Sequence, residues 1–248
     1  MKFLIEGRPT IVGMVKTAIP EKIITEIKTL IDGGADAIGL QLETISKTNK
    51  TRERLAEYFA AAQGKPIYVT NYRRFNVQEP LPTDEELAEE LVEAAKIGAS
   101  LIDVRGDMFH PEDDEFTEDN EAVEKQKKLI QRIQDLGAEV LISTHIFHYT
   151  PKDEVIRIAE AMRERGADIA KVVAWAENEK QLSEAFDITR KLKEELTIPA
   201  LFLVNGDLCR RHRYEAPVIE KSMFLVVDDS RANETQPTVS EAINIIKA

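Results

Sequence analysis

The sequence predicts an α/β protein of the (β/α)8, or TIM-barrel, class, built as a single domain over residues 1–248. Eight short apolar runs rich in β-branched residues alternate with segments of helical period. The triplets Gly-Ala-Asp, Gly-Ala-Ser, Gly-Ala-Glu and again Gly-Ala-Asp recur where a helix would turn back into a strand. The length also suits one barrel, which typically needs about 250 residues. No linker or low-complexity tract divides the sequence.

Taken in order, residues 10–16 form the first strand, and residues 21–34 a helix with apolar residues at helical spacing and a glycine stop. Strand two spans 35–43 and is followed by a helix at 48–62; strand three spans 65–72. The next helix, 83–99, opens with Thr83 as cap and three acids in its first turn, where the helix dipole favours negative charge. Strand four, 100–107, leads to a helix at 120–138. The fifth strand ends near His145 and the sixth, from Ala167, near Trp175. Strand seven is 198–206, strand eight 222–229, and 238–248 is a closing helix.

Composition narrows the function. A formal net charge of −12 argues against binding nucleic acid or an anionic membrane surface, both of which favour clustered Lys and Arg. The one cysteine, Cys209, rules out an intrachain disulfide, and the N-terminal stretch lacks an export signal, so a cytoplasmic protein is expected. No apolar run approaches the ~18 residues that read as a membrane span. A small-molecule enzyme is the expectation.

The chemistry centres on Lys171. It interrupts the run Ile169-Ala170-Lys171-Val172-Val173, and a buried ammonium loses hydration unless it is paired or gives up its proton. One explanation is a lysine whose neutral amine attacks a ketone, with His145 on the neighbouring strand as proton carrier. The other is an ion-paired core lysine beside a structural histidine. Barrel chemistry sits at the carboxyl ends of the strands. The residues placed there are Gln41, Glu43, Tyr72, Arg73, Arg105, Asp107, His145, Lys171, Asn205 and Arg213.

At these residues the chain resembles the type I 3-dehydroquinate dehydratases. Residues 143–151, Ser-Thr-His-Ile-Phe-His-Tyr-Thr-Pro, are similar to that family's Ser-x-His-Asp-Phe-x-x-Thr-Pro, and the strand around Lys171 to its lysine strand. The resemblance implies a cofactor-free lyase of the shikimate pathway that dehydrates a cyclic keto acid, with Lys171 forming the imine and His145 as general acid/base. Residues 205–213 resemble the motif that carries the carboxylate-binding arginine, which implies that role for Arg213; residues 232–237 echo a motif that puts a substrate-binding amide at Gln236. Gln41, Glu43, Tyr72, Arg73 and Arg105 complete the expected substrate contacts.

The departures are specific. Where the family has Glu-x-Arg on the second strand, this chain has Gly39-Leu40-Gln41, and Tyr72 replaces an arginine of the third, with Arg73 and Arg74 following. The acid that orients the histidine falls near Asn76. Cys209, His212 and Thr235 stand where the family's later motifs have glycines and a serine. These changes point to an altered substrate. Two alternatives stay open: a class I aldolase-type carbon-carbon lyase acting on a small keto acid or sugar, and a non-catalytic paralogue that binds a small acid. Monomer or homodimer is also open.

Residues 108–121 read as a solvated acidic lid, and no metal is assigned to them because they lack the fixed ligand spacing of a calcium loop. His148 and His212 read as surface or loop histidines, the latter with the option of a substrate hydrogen bond at the mouth.

Overall fold

The computed structural model describes residues 2–232 and 235–248. Eight parallel strands run β1 (Thr10–Met14), β2 (Ala37–Gln41), β3 (Ile67–Thr70), β4 (Leu101–Arg105), β5 (Glu139–His145), β6 (Ile169–Trp175), β7 (Ala200–Asn205) and β8 (Met223–Val226). The helices after them are α1 (Pro20–Asp32), α2 (Arg52–Ala61), α3 (Asp84–Ile97), α4 (Asn120–Gln134), α5 (Lys152–Glu164), α6 (Glu179–Glu195), α7 (Cys209–Glu220) and α8 (Val239–Lys247). The (β/α)8 expectation therefore holds. Most strands are one to three residues shorter than the apolar runs at either end.

The strands pair in the order β7-β6-β5-β4-β3-β2-β1-β8. The barrel is nearly closed, and its seam lies between β7 and β8, where hydrogen bonds to the Glu220 side chain stand in for a backbone ladder. The Phe202 N–H on β7 donates to Glu220 Oε1 at 2.9 Å, and the Ser222 hydroxyl beside β8 donates to Glu220 Oε2 at 3.0 Å.

Alternation along each strand divides the core in two. On β6, Ala170, Val172 and Ala174 face the helix layer, while Ile169 and Val173 face the barrel axis with Val12, Leu101, Leu141, Leu201 and Met223. Lys171 lies between Ile169 and Val173 and shares their inward face. Phe3 packs under this interior core against Tyr68. The helices present their apolar stripes at the expected spacing, as with Val155, Ile158, Ala159 and Met162 of α5. Each of the larger ones, Val155, Ile158 and Met162, contributes roughly 1.5–3 kcal/mol.

The expected Thr83 cap is present and closes a capping box with Glu86 on α3, and Thr238 and Glu241 close another on α8. One element differs from the expectation. The stretch around Arg210–Arg213, read as a motif with a loop histidine, is the start of α7, which continues through Pro217. This puts Arg213 on a helix rising from the mouth and turns His212 inward.

Candidate active site

Three groups from two strands and a loop surround the Lys171 ammonium. Tyr72 Oη lies 2.9 Å from Nζ, Asp103 Oδ2 3.2 Å and Tyr68 Oη 3.3 Å. Both tyrosine hydroxyls donate in turn to Asp103 Oδ2, Tyr72 at 2.6 Å, and the Ser143 hydroxyl donates to Oδ1. Register sets Ser143 level with Lys171 across β5 and β6, and Asp103 on β4, level with Leu141, lies one inward position below Ser143. Burial by itself would raise the Asp103 pKa, but Lys171, Ser143 and the two tyrosines hold it below the ordinary carboxylate value. Burial, reinforced by Asp103, drives Tyr68 and Tyr72 well above 10, so both stay protonated donors. The ion-paired lysine weighed against a reactive one is thus present, and it lines a cavity as well.

His145 ends β5, with Nδ1 2.7 Å from Glu115 Oε2 and its ring edge-on to Tyr72 at 5.4 Å between centroids. Burial lowers the His145 pKa below 6.5, while Glu115 pulls it back up. Glu115 comes from the acidic loop, which corrects the reading of that loop as a solvated lid: Glu115 is only 6% exposed. The loop is fastened at several points. Arg165 donates to the carbonyls of Gly106 and Thr117 and to Gln126, and its guanidinium covers the Phe116 ring at 4.1 Å. A side chain at Gly106 would meet Phe116 and the Glu115 carbonyl, so only glycine lets the loop pack this closely. The acid expected near Asn76 is absent; Asn76 instead donates to the Tyr72 carbonyl.

Two connected cavities open at the carboxyl ends of the strands. A mouth of about 600 Å³ is lined by Gln41, Tyr72, His145, Arg213 and Gln236, together with Arg74, Phe75 and Phe147. Beneath it a chamber of about 150 Å³ is lined by Lys171, His145, Tyr72, Gln41, Arg213 and Gln236, with Met14, Val173, Leu203 and Leu225 as apolar wall. Arg213 is oriented by Nε donating to the Val204 carbonyl at 3.1 Å and Nη2 to Asn205 Oδ1 at 2.6 Å. Its planar fork suits a carboxylate. At Gly39 an added Cβ would collide with the Met14 sulfur, so Met14 fills the space that a carboxylate side chain on β2 would need.

Of the other sequence candidates, Glu43 borders the mouth but not the inner chamber, and Arg73 and Arg105 lie outside both. Glu43 is 1% exposed and accepts from the Thr70 hydroxyl and Gln41, with burial raising its pKa. Arg73 is held by Asp84 and Asp107, and Arg105 by Asp107 and Glu115; both border a neighbouring cavity and not the one that contains Lys171. His212 is fully buried between Phe186 and Phe202, 3.1 Å from the Thr189 hydroxyl, so neither surface nor substrate contact applies to it. In the stretch before Gln236, Asn233 and Glu234 lie outside the described residues. Among the described residues, no group of three or more His, Cys, Asp or Glu side chains could hold a metal ion, and no helix is long and apolar enough to cross a membrane.

Sequence reasoning missed Asp103, Tyr68, Ser143 and Glu115. Asp103 and Ser143 carried a usable signal: each is a polar residue in the middle of a strand, on the face that a leucine two residues earlier, Leu101 or Leu141, turns inward.

Fold and cavity together define a (β/α)8 barrel with Lys171 buried inside it, facing a chamber at the carboxyl ends of the strands. The chain belongs to the type I 3-dehydroquinase family, whose sequence profile matches residues 14–248. It is 23% identical over 233 residues to 3-dehydroquinate dehydratase of Methanococcoides burtonii, covering 93% of this chain and 90% of that relative. Its match to the Alkaliphilus oremlandii 3-dehydroquinate dehydratase is 28% identical over 137 residues, about half of either chain at 54% and 52%. Among solved structures, the type I 3-dehydroquinate dehydratase of Clostridium difficile with covalently modified comenic acid superposes with a TM-score of 0.83 at 20% identity, covering 98% of this chain and 93% of that one. The Geobacillus kaustophilus 3-dehydroquinate dehydratase superposes with a TM-score of 0.82 at 16% identity, covering 100% and 97%.

Proposed function

We propose that this protein is a hydro-lyase that dehydrates 3-dehydroquinate, or a ring relative of it with fewer hydroxyls, through an imine on Lys171. The observation that carries the reading is the common chamber: the Lys171 amine, the His145 ring and the Arg213 guanidinium all line one space of about 150 Å³. Arg213 grips the substrate carboxylate, Lys171 attacks the ring ketone, and the protonated imine acidifies the adjacent carbon. His145, kept neutral by burial and oriented by Glu115, removes that proton and then protonates the departing hydroxyl. Hydrolysis frees the enone product. The imine is itself the electron sink, so the scheme calls for no cofactor, and family membership favours dehydration over carbon-carbon cleavage.

The altered ring pattern rests on Met14 and Gly39. With Met14 occupying the β2 wall beside Gly39, the chamber offers an apolar surface where the family's motif would put a carboxylate, and the Gln41 amide where it would put a guanidinium. Gln41, with Lys16 3.5 Å from its Oε1, and Gln236 supply the remaining polar contacts. We further infer that the enzyme works as one barrel domain in the cytoplasm on a small keto acid, and light scattering would distinguish monomer from homodimer.

The test is borohydride reduction in the presence of 3-dehydroquinate and a panel of cyclic and open-chain keto acids, read by intact mass and peptide mapping. A ligand-sized adduct on Lys171 is expected, lost in Lys171→Ala. Turnover without a trappable adduct, with Lys171→Ala fully active, would overturn the imine, and absence of both adduct and turnover would favour a binding paralogue.

A further inference from the structure

We propose that Tyr72 and Asp103 form an internal proton relay for Lys171, with the Tyr72 hydroxyl passing one ammonium proton to Asp103 before attack and returning it for loss of water. This rests on the imine reading of Lys171 and assigns the proton transfers at nitrogen to groups other than His145. Three relations carry it. Lys171 donates to Tyr72 Oη at 2.9 Å, and Tyr72 donates to Asp103 Oδ2 at 2.6 Å, so the two bonds point the same way along one path. Asp103 is 1% exposed, which closes the relay to bulk water at its far end. Tyr72 lines both chamber and mouth, so the hydroxyl that touches the amine also borders the space where a carbinolamine would form.

The proton count closes. In the first step an Nζ–H bond breaks as an O–H bond forms on Tyr72, and the Tyr72 hydroxyl proton moves to Asp103 Oδ2, leaving neutral amine, neutral tyrosine and neutral acid. The Nζ lone pair then bonds the ketone carbon, and the carbonyl π electrons go to oxygen. A second Nζ proton passes to that oxygen, giving the carbinolamine. Asp103 returns the stored proton through Tyr72 to the carbinolamine hydroxyl, which leaves as water while nitrogen and carbon form the protonated imine. Two protons leave Nζ overall and both end on the departing water. Asp103 finishes as the carboxylate it was at the start, ready to pair the imine cation.

A resting Lys171 with all three N–H groups donated would otherwise have no lone pair facing the chamber. The relay resolves this without exporting a proton to solvent. Tyr68 also contacts Lys171 and Asp103, at the longer 3.3 Å to Nζ. It shares in holding Asp103, and of the three contacts at Nζ the one to Tyr72 is the shortest, 2.9 Å against 3.2 Å to Asp103 itself.

The experiment is rapid-quench borohydride trapping with 3-dehydroquinate, comparing wild type, Tyr72→Phe and Tyr68→Phe by intact mass against time. Phe keeps the ring that packs edge-on to His145. The expected result is the same final adduct on Lys171 in all three, formed at least about tenfold more slowly in Tyr72→Phe and less affected in Tyr68→Phe. Equal rates in wild type and Tyr72→Phe would overturn the relay and leave the imine reading intact; no wild-type adduct with 3-dehydroquinate or with any keto acid of the panel would overturn both. Should Tyr72→Phe fail to fold, a proton inventory of wild-type adduct formation in mixed light and heavy water decides. A curved dependence, from two protons moving together, supports the relay, and an isotope-independent rate overturns it.

Discussion

Glu115 Oε2 lies 2.7 Å from His145 Nδ1, a bond that spans 30 residues of chain and brings an acidic loop onto the end of a barrel strand. The bond fixes which ring nitrogen faces the chamber. Glu115→Gln should therefore lower kcat by about 10²-fold, in the range by which positioned acid–base groups accelerate proton transfer. The sign of the pH effect follows from the opposing influences on His145. Burial lowers its pKa and Glu115 raises it, so removing the carboxylate charge lets the value fall further. The acid limb of the kcat/KM profile should move to lower pH; a limb that stays fixed or moves upward would show that Glu115 does not govern the histidine.

Lys171 and Asp103 are mutually dependent for stability. Lys171→Ala removes the partner of a fully buried carboxylate and should cost about 3–5 kcal/mol, as breaking one side of a buried pair usually does. The double variant Lys171→Ala with Asp103→Asn should recover much of that stability and none of the dehydration. Denaturant titration together with turnover assays checks both halves. Recovery of turnover in the double variant would mean that the lysine acts only as a counter-ion.

Met14 and Gly39 should set ring preference. A site built to hydrogen-bond a substrate hydroxyl can reject the analogue lacking it by ~10⁴–10⁵, whereas an apolar wall that merely faces a hydroxyl discriminates by much less. The expected preference for a ring relative lacking one hydroxyl over 3-dehydroquinate is accordingly about 10²-fold in kcat/KM. Met14→Ala, which opens that wall to water, should narrow it. Faster turnover of 3-dehydroquinate than of its deoxy analogues by the wild type would overturn this assignment.

His212 should make the fold acid-sensitive. Its imidazole is buried between two phenylalanines, and burial lowers its pKa to about 4. The unfolded chain takes up a proton near the ordinary value of ~6.5, so stability is full above ~6.5 and declines as pH falls toward 4. The decline attributable to this residue is on the order of 3 kcal/mol. His212→Phe should remove that part of the slope in unfolding free energy between pH 6.5 and 4. An unchanged slope would place the acid sensitivity elsewhere.

Much of this protein is written in local patterns. The eight-fold alternation is visible because strand and helix impose different periods on apolar residues, and the Gly-Ala triplets mark the returns. Lys171 stood out because a lysine between Ala170 and Val172 in a β-branched run has to be explained, and His145 because it closes the adjacent run. Arg213 and Gln236 were reached through motif resemblance, and both line the same chamber as Lys171. Arg73 and Arg105 were placed at the mouth by their position after strands, and their carboxylate partners hold them to one side.

The sequence alone determined the barrel, the strand ends where chemistry belongs, and the isolated lysine, since each follows from neighbours within about ten residues. The partners of that lysine were decided only by tertiary structure. Asp103 lies 68 residues before Lys171 and Tyr72 99 residues before it, and they meet because closing the sheet points inward residues of separate strands at one axis. Glu115 belonged to a run of acids that averages as solvent-exposed; Arg165, Gln126 and the absent side chain of Gly106 draw one of those acids down onto His145. Composition describes the mean environment of such a run, whereas the position of a single carboxylate is set by packing from elements far away in the chain.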